Sequence, residues 1–461
     1  MNTLVRSVTI VLVAAGCNGK ATTGDDTDAA TTTDDTTPYS TSSSECAEDE
    51  DCSGWQICDD AVCVSGDRNN DFEEAESVLW ETGTTGYLQS NDDVDYYAFG
   101  ADGGEWIRVT TEPLGSEDMN TVVSLYDPNG KLHHIEDDFP TGPVSTYDTV
   151  LYAYLPTAGT WLLAVEDLDG ASGSDFSYEL VVQETGAHTS ESDSFDDPAS
   201  SVTAESSATI WTVGVLLEEV GDVDYINLDL PYEDCPVLIY GAAYDGGTDA
   251  VATVELYTPE QQRLLRKEGL GPEGIAQHYG VSGGRAVIAA TDASGQGGDD
   301  HWFFVYILIG EPGAYPRETE PNDYDVEASP LPAFDAYTSS SGDYLATTIW
   351  GDIESSYDED WYRVEVDAEA DGRRLHVFGS SGRYGSLMTP RVEVFDEWGA
   401  PLEGDTFIDD GDNFPDLANL GPVSEGSVYF IRVTDEYGSY GLDHTYRISP
   451  YLAEFEYSTG R

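Results

Sequence analysis

Asp93-Val94-Asp95-Tyr96-Tyr97, Asp222-Val223-Asp224-Tyr225 and Asp358-Glu359-Asp360-Trp361-Tyr362 are three versions of one stretch, in which two acids flank one residue and aromatic side chains follow. The second aspartates fall 129 residues apart (95 to 224) and then 136 (224 to 360). Two further landmarks keep step with them. Alternating residues run into turn chemistry at Val123-Ser124-Leu125-Tyr126-Asp127-Pro128-Asn129-Gly130, at Val254-Glu255-Leu256-Tyr257-Thr258-Pro259 and at Val392-Glu393-Val394-Phe395-Asp396-Glu397-Trp398-Gly399. A glycine then opens an apolar run, after Gly159, Gly284 and Gly426, and each copy closes on an aromatic strand at Tyr178, Trp302 or Tyr446. Period-two alternation bounded by turn residues is a strand signal. A repeat near 130 residues is too long for a solenoid unit and suits a domain with its own core. The pattern predicts an all-β chain with three tandem β-sandwiches, at 67–186, 187–312 (the divergent copy) and 313–461.

Composition agrees. Tyrosine (29) outnumbers phenylalanine (14), methionine is scarce (3), and no long stretch carries apolar residues at helical spacing. Ninety acidic against 18 basic residues give a formal charge of −72, spread along the whole chain. Such a surface repels phosphate backbones, which excludes nucleic acid as a partner. Self-repulsion of this kind also calls for compensation by salt or divalent cations.

The N-terminus sets the compartment. An apolar stretch led by Arg6 ends in Leu12-Val13-Ala14-Ala15-Gly16-Cys17, too short to span a bilayer. It resembles the lipobox of bacterial lipoproteins, which implies removal of residues 1–16, acylation of Cys17 and a membrane anchor in the cell envelope. Asn18 after the modified cysteine, by the same resemblance, favours the outer membrane. From 17 to 44 the chain is Thr, Ser, Asp and Ala with one bulky apolar residue, Tyr39, and reads as a disordered tether with ends roughly 25 to 30 Å apart.

Cys46, Cys52, Cys58 and Cys63 follow within 45–66, a segment too small for a core of its own. In an exported chain this reads as two disulfides, with three pairings open. A zinc site would need shorter ligand pairs and a reducing compartment. The segment resembles the small cysteine-rich modules of myxobacterial surface proteins. Cys235, beside an apolar run, reads as a buried, inert thiol.

At the third copy, Glu318-Thr319-Glu320-Pro321-Asn322-Asp323 precedes Gly351-Asp352-Ile353 and the Asp358 stretch. This resembles the bacterial pre-peptidase C-terminal domain, with its E-x-E-P-N-D lead-in. The resemblance implies a jelly-roll-like sandwich without catalytic residues. It also implies a calcium site in which Glu318, Glu320, Asn322 and Asp323 meet Asp358 and Asp360. Calcium takes six to eight oxygen ligands, and carboxylates with an amide carbonyl supply that chemistry. The first copy has Asp67-Arg68-Asn69-Asn70-Asp71 in place of the motif, leaving Asp93 and Asp95 as weaker metal candidates; the second keeps only Asp193 before Asp222 and Asp224.

Enzyme-like patterns are few. Gly280-Val281-Ser282-Gly283-Gly284 spells G-x-S-x-G, yet the nucleophile elbow joins a strand to a helix, and the run after Arg285 is strand-like. His133-His134 has no partner at ligand spacing and reads as a surface pair. Trp350, Trp361 and Trp398 offer stacking surfaces but sit where strand aromatics usually enter a core. The functional expectation is a non-catalytic, lipid-anchored binding protein for a polysaccharide or an envelope protein. The alternative is an accessory subunit acting in trans with a secreted or surface peptidase.

Overall fold

The structure is a computed structural model. It describes the backbone at 56–59 and 62–65 and then, with breaks, residues 69–454, the wider breaks falling at 138–148, 196–200, 204–209, 269–274, 311–315 and 409–416. Cys17, the tether, Cys46, Cys52 and Ser282 lie outside the described residues. Every named element is a β-strand, and among the described residues no helix is long and apolar enough to cross a membrane. In the cysteine segment a hairpin of Gln56–Asp59 and Val62–Ser65 sets Cys58 opposite Cys63 in its backbone register.

Three jelly-roll-like sandwiches follow one another along the chain, each of two sheets. One sheet has the same five-position order in every copy. A short leading strand comes first, then the strand opened by the acidic stretch, then the strand after the landmark glycine, then the strand before the turn, then an edge strand. In the first copy these are Glu76–Ser77, Asp95–Ala101, Gly159–Asp167, Thr121–Tyr126 and Leu132–Glu136. In the second they are Ser201–Thr203, Val223–Asp229, Arg285–Asp292, Ala252–Tyr257 and Arg263–Glu268, and in the third Ser329–Pro330, Asp360–Glu365, Val428–Asp435, Pro390–Asp396 and Phe407–Ile408. The leading strand pairs parallel in all three, and the other neighbours pair antiparallel. The facing sheet carries the closing strand, Ser177–Glu184, Trp302–Ile309 or Thr445–Ala453. The chain divides into two compact units, 1–185 and 186–461, so the second and third sandwiches belong to one unit.

Alternation decides which side chains meet between the sheets. Tyr97, Phe99, Trp161, Leu163 and Val165 fill the first sandwich, while Ile226, Leu228, Ile288, Val305 and Ile307 fill the second. Tyr362, Val364, Ile431, Val433 and Ile448 fill the third, all buried. Each such side chain contributes roughly 1.5–3 kcal/mol on leaving water.

The first aspartate of each acidic stretch precedes its strand and closes a turn. Asp93, Asp222 and Asp358 each accept the amide four residues back, from Gln89 (2.7 Å), Glu218 (2.9 Å) and Glu354 (2.6 Å). The second aspartate, Asp95, Asp224 or Asp360, is fully buried at the strand start. A third repeated acid escapes the sequence reading because it stands alone. Asp167, Asp292 and Asp435 end their strands and accept amides two and four residues on, and each reaches across to the segment before the turn strand, at Asn120, Val251 and Thr389.

Two expectations change. His133 and His134 are buried, not at the surface. His133 meets the carbonyl of Tyr154 at 2.8 Å and the edge of Trp161, and burial pushes the His134 imidazole down to about 3, so it is neutral. Of the three tryptophans, Trp350 is core, Trp361 packs on Phe395 beneath the Arg432 guanidinium, and Trp398 alone is 83% exposed. Cys235 is buried, as expected.

Asp435→Ala strips acceptors from the amides of Thr389, Tyr437 and Ser439 together. We expect a loss of about 1–3 kcal/mol, read as a lower urea midpoint at unchanged slope. A midpoint equal to wild type contradicts a structural role for this repeated aspartate.

Candidate cation site

In the first sandwich the acidic stretch, the closing strand and one glycine build a buried polar knot. Tyr178 Oη donates to Asp95 Oδ2 at 2.6 Å and meets Tyr97 Oη at 2.9 Å. The phenols fit because the strand opposite Tyr178 carries Gly86: a Cβ there would lie 2.3 Å from Tyr97 Oη and 2.4 Å from Tyr178 Oη. Asn69 lies buried beside the knot, and its carbonyl accepts the Tyr96 amide at 2.7 Å. Burial, with Tyr97 and Asp95 alongside, holds the Tyr178 phenol well above its usual range, so it is a neutral donor.

The third sandwich repeats this arrangement with Asp360, Tyr362, Tyr446 and Gly351. Tyr446 Oη donates to Asp360 Oδ2 at 2.5 Å, Tyr362 Oη meets Tyr446 Oη at 2.5 Å, and Asn322 accepts the Trp361 amide at 3.0 Å through its carbonyl. It then adds a second, half-buried carboxylate. The lead-in segment is pinned to the strand Ile349–Asp352 by a parallel bridge between Arg317 and Trp350 and by the Glu318 amide, which donates to the Trp350 carbonyl at 3.0 Å. Glu318 is thereby fixed in the knot. Its Oε2 accepts Tyr362 Oη (2.7 Å) and Asn322 Nδ2 (3.2 Å), and its Oε1 accepts the Asp352 amide (2.7 Å).

Proton counting shows the imbalance. Two phenols hold two hydrogens, given to Glu318 and Asp360, yet their oxygens also touch each other, and Asp360 Oδ1 and Asn322 Oδ1 remain buried without a partner among the described residues. Glu318, Glu320 and Asp360 each bring one carboxylate oxygen within 4.8 Å of the others. At that separation two full charges repel by on the order of 3 kcal/mol at an effective dielectric constant near 20. Burial drives every member upward, with the Glu318 charge adding to it at Asp360 and the Asp358 charge at Glu320. Glu318 reaches about 7 and Asp358, beside Asp323, about 6; Glu320 is raised, and Asp360 lies well above its ordinary value.

This donor set fits calcium. Oxygens sharing one calcium at roughly 2.3–2.6 Å lie no more than about 5 Å apart, and the available groups are all oxygen. Glu318, Glu320, Asp360 and the free carbonyl oxygen of Asn322 are the residues that would hold it. Asp358 and Asp323 pair at the rim, with one Asp358 oxygen committed to the Glu354 amide. In the first sandwich Asp93 caps its turn and Asp95 is served by phenols; in the second, Ile226 and Phe303 stand where the two tyrosines would be. Sequence reading sets Gly351 with the lead-in motif without this packing role and misses its counterpart Gly86, although the signal is present. Each is a lone glycine in a short strand ahead of an acidic stretch.

No family model and no curated protein matches the chain. Among solved structures, it is similar to the pre-peptidase C-terminal domain of a Bacillus anthracis collagenase, at 21% identity and TM-score 0.20 over 25% of this chain and 99% of that one. It is also similar to the CUB1-EGF-CUB2 domains of rat MASP-1 (10%, TM-score 0.17, 54% and 99%) and to a triple jelly roll protein of an archaeal virus (7%, TM-score 0.16, 84% and 93%). Values this low assign neither a family nor a ligand.

Two predictions follow from the geometry. A methyl at Gly351 would lie 2.4 Å from Tyr446 Oη and 2.7 Å from Glu318 Oε2; Gly351→Ala should cost about 1–3 kcal/mol in denaturant unfolding. A variant as stable as wild type contradicts the packing of the knot. The second concerns pH. A carboxyl raised from 4.5 to about 7 on folding favours the protonated native state, so its stabilising effect is full below 4.5 and is lost as pH rises through about 7. In chelator, the melting temperature of the chain should fall between pH 5 and pH 8, and Asp360→Asn should flatten that slope. A slope identical in the variant contradicts the assignment.

Proposed function

We propose that this protein is a non-catalytic lipoprotein of the bacterial envelope, held by acylated Cys17 and by the tether at 17–44, with two disulfides in 45–66. Its sandwiches bind a polysaccharide or an envelope protein, and the third sandwich is stabilised by calcium. The observation that carries the reading is the pairing of half-buried Glu318 with buried Asp360, whose charge exceeds what Tyr362 and Tyr446 satisfy. A bound divalent cation supplies the missing positive charge there and locks the lead-in segment to the strand Asp360–Glu365.

Other features support a binding role. Ser282 falls between the strands Ile275–Val281 and Arg285–Asp292, a strand-to-strand connection unlike a nucleophile elbow. The buried histidines His133 and His134 lie inside a sandwich. The outermost chemistry is acidic and aromatic, with Tyr357, Tyr437 and Trp398 at least 78% exposed.

Calorimetric titration of the mature chain tests the calcium reading. Calcium should bind and raise the melting temperature at pH 8, and Asp360→Asn should lose both effects while melting higher than wild type in chelator. An unchanged wild-type melt in calcium and chelator sinks the reading. For the anchor, labelled palmitate should enter the wild-type chain and not Cys17→Ala, which should leave the membrane fraction; an unlabelled, soluble wild type contradicts it.

A further inference from the structure

The second and third sandwiches meet along the edge strand Arg263–Glu268. Its Arg266 amide donates to the Gly385 carbonyl at 2.8 Å, as if to another strand. Arg263 Nη2 reaches Asp443 Oδ2 at 3.1 Å while Nη1 lies 3.4 Å from Glu255 Oε1, and Lys267 Nζ donates to the Gly382 carbonyl at 3.2 Å. Gly385 is required for this approach. Its φ is +89°, and a Cβ there would lie 3.0 Å from the Arg266 carbonyl oxygen. A stray edge strand is normally a liability, and here the neighbouring sandwich covers it.

The loop that receives Arg263 is tied to the cation cluster through Ile353 and Tyr446. Three successive amides, of Asp352, Ile353 and Glu354, divide between the two. Asp352 donates to Glu318 Oε1 (2.7 Å), Ile353 to the His444 carbonyl (3.0 Å), and Glu354 to Asp358 Oδ2 (2.6 Å). The Ile353 carbonyl in turn accepts the Gly441 amide at 2.9 Å. Asp443 grips its own surroundings through Leu387, Ser386 and His444, and three residues later Tyr446 gives its hydroxyl hydrogen to Asp360. Glu318 itself lies in the segment that leaves the strand Trp302–Ile309 of the second sandwich for the third. The junction is thus held at two places, the covalent connection and the Arg263 clasp, and the 352–354 tripeptide touches both.

We propose that the clasp and the cation cluster are thermodynamically linked. Fixing Glu318 and Asp360 around a divalent cation fixes the Asp352 amide and the Tyr446 hydroxyl that they accept, and with them the Ile353–His444 contact and the loop carrying Asp443, which tightens the grip on Arg263. By reciprocity, breaking the clasp weakens cation binding by the same factor. The proposal rests on calcium binding as argued above, and what it adds is the coupling to the neighbouring sandwich.

Calcium titration of the full mature chain, wild type against Arg263→Ala, measures the coupling. Arg263 is partly exposed and contributes nothing to the cluster itself. Arg263→Ala should bind calcium about five-fold more weakly at unchanged stoichiometry, with Arg263→Lys in between. Equal affinities in wild type and Arg263→Ala overturn the linkage and leave the calcium reading standing, whereas a wild type that binds no calcium removes both. Hydrogen exchange gives a readout without any variant: calcium should slow exchange of the Arg266 amide, which belongs to the other sandwich. Binding of calcium with no change at Arg266 also overturns the proposal.

Discussion

A buried aspartate satisfied by tyrosine hydroxyls is the constraint on which the third sandwich turns. Asp360 starts its strand with no exposure to water, so its position demands donors that only the closing strand and its own strand supply. Tyr446 reaches it because Gly351 leaves room, and Gly351 stands opposite Tyr446 because the short strand Ile349–Asp352 pairs in that register. Strand order, glycine placement and the lead-in segment all follow from meeting this one requirement. The first sandwich sets Asp95, Tyr178 and Gly86 in the same arrangement, with a single carboxylate.

Glu318 is what separates a structural knot from a candidate binding site. Added to this arrangement, a second, half-buried carboxylate makes the cluster overcharged, and the two remaining oxygens, of Asp360 and Asn322, point to a ligand that coordinates both. The same segment links two sandwiches, so a local question of charge compensation reaches the geometry of the unit at 186–461. In a chain with a formal charge of −72, cations are the natural partners of its interior as well as its surface.

Much of this was legible in the amino-acid order. The three acidic stretches, the turn signals and the landmark glycines locate the central strands, because strand alternation and turn chemistry are local properties. The closing residues Tyr178, Trp302 and Tyr446 fall within the first two residues of their strands. Long-range register was not legible. Nothing local says that Gly351 faces Tyr446, or that the two aspartates of one stretch part company, one into a turn and one into the core. His133 and His134 misled for the same reason: a histidine pair after a turn looks exposed until the edge strand Leu132–Glu136 is seen to lie against Trp161. Asp435 and its counterparts gave no sign of their reach across the sheet, since those partners lie some forty residues away in sequence.

Anomalous scattering from a crystal of the mature chain grown with calcium tests the central claim most directly. The account predicts a peak bounded by Glu318, Glu320, Asn322 and Asp360, with oxygens at roughly 2.3–2.6 Å. Density at saturating calcium that holds no peak there, with the two carboxylates sharing a proton, would contradict it.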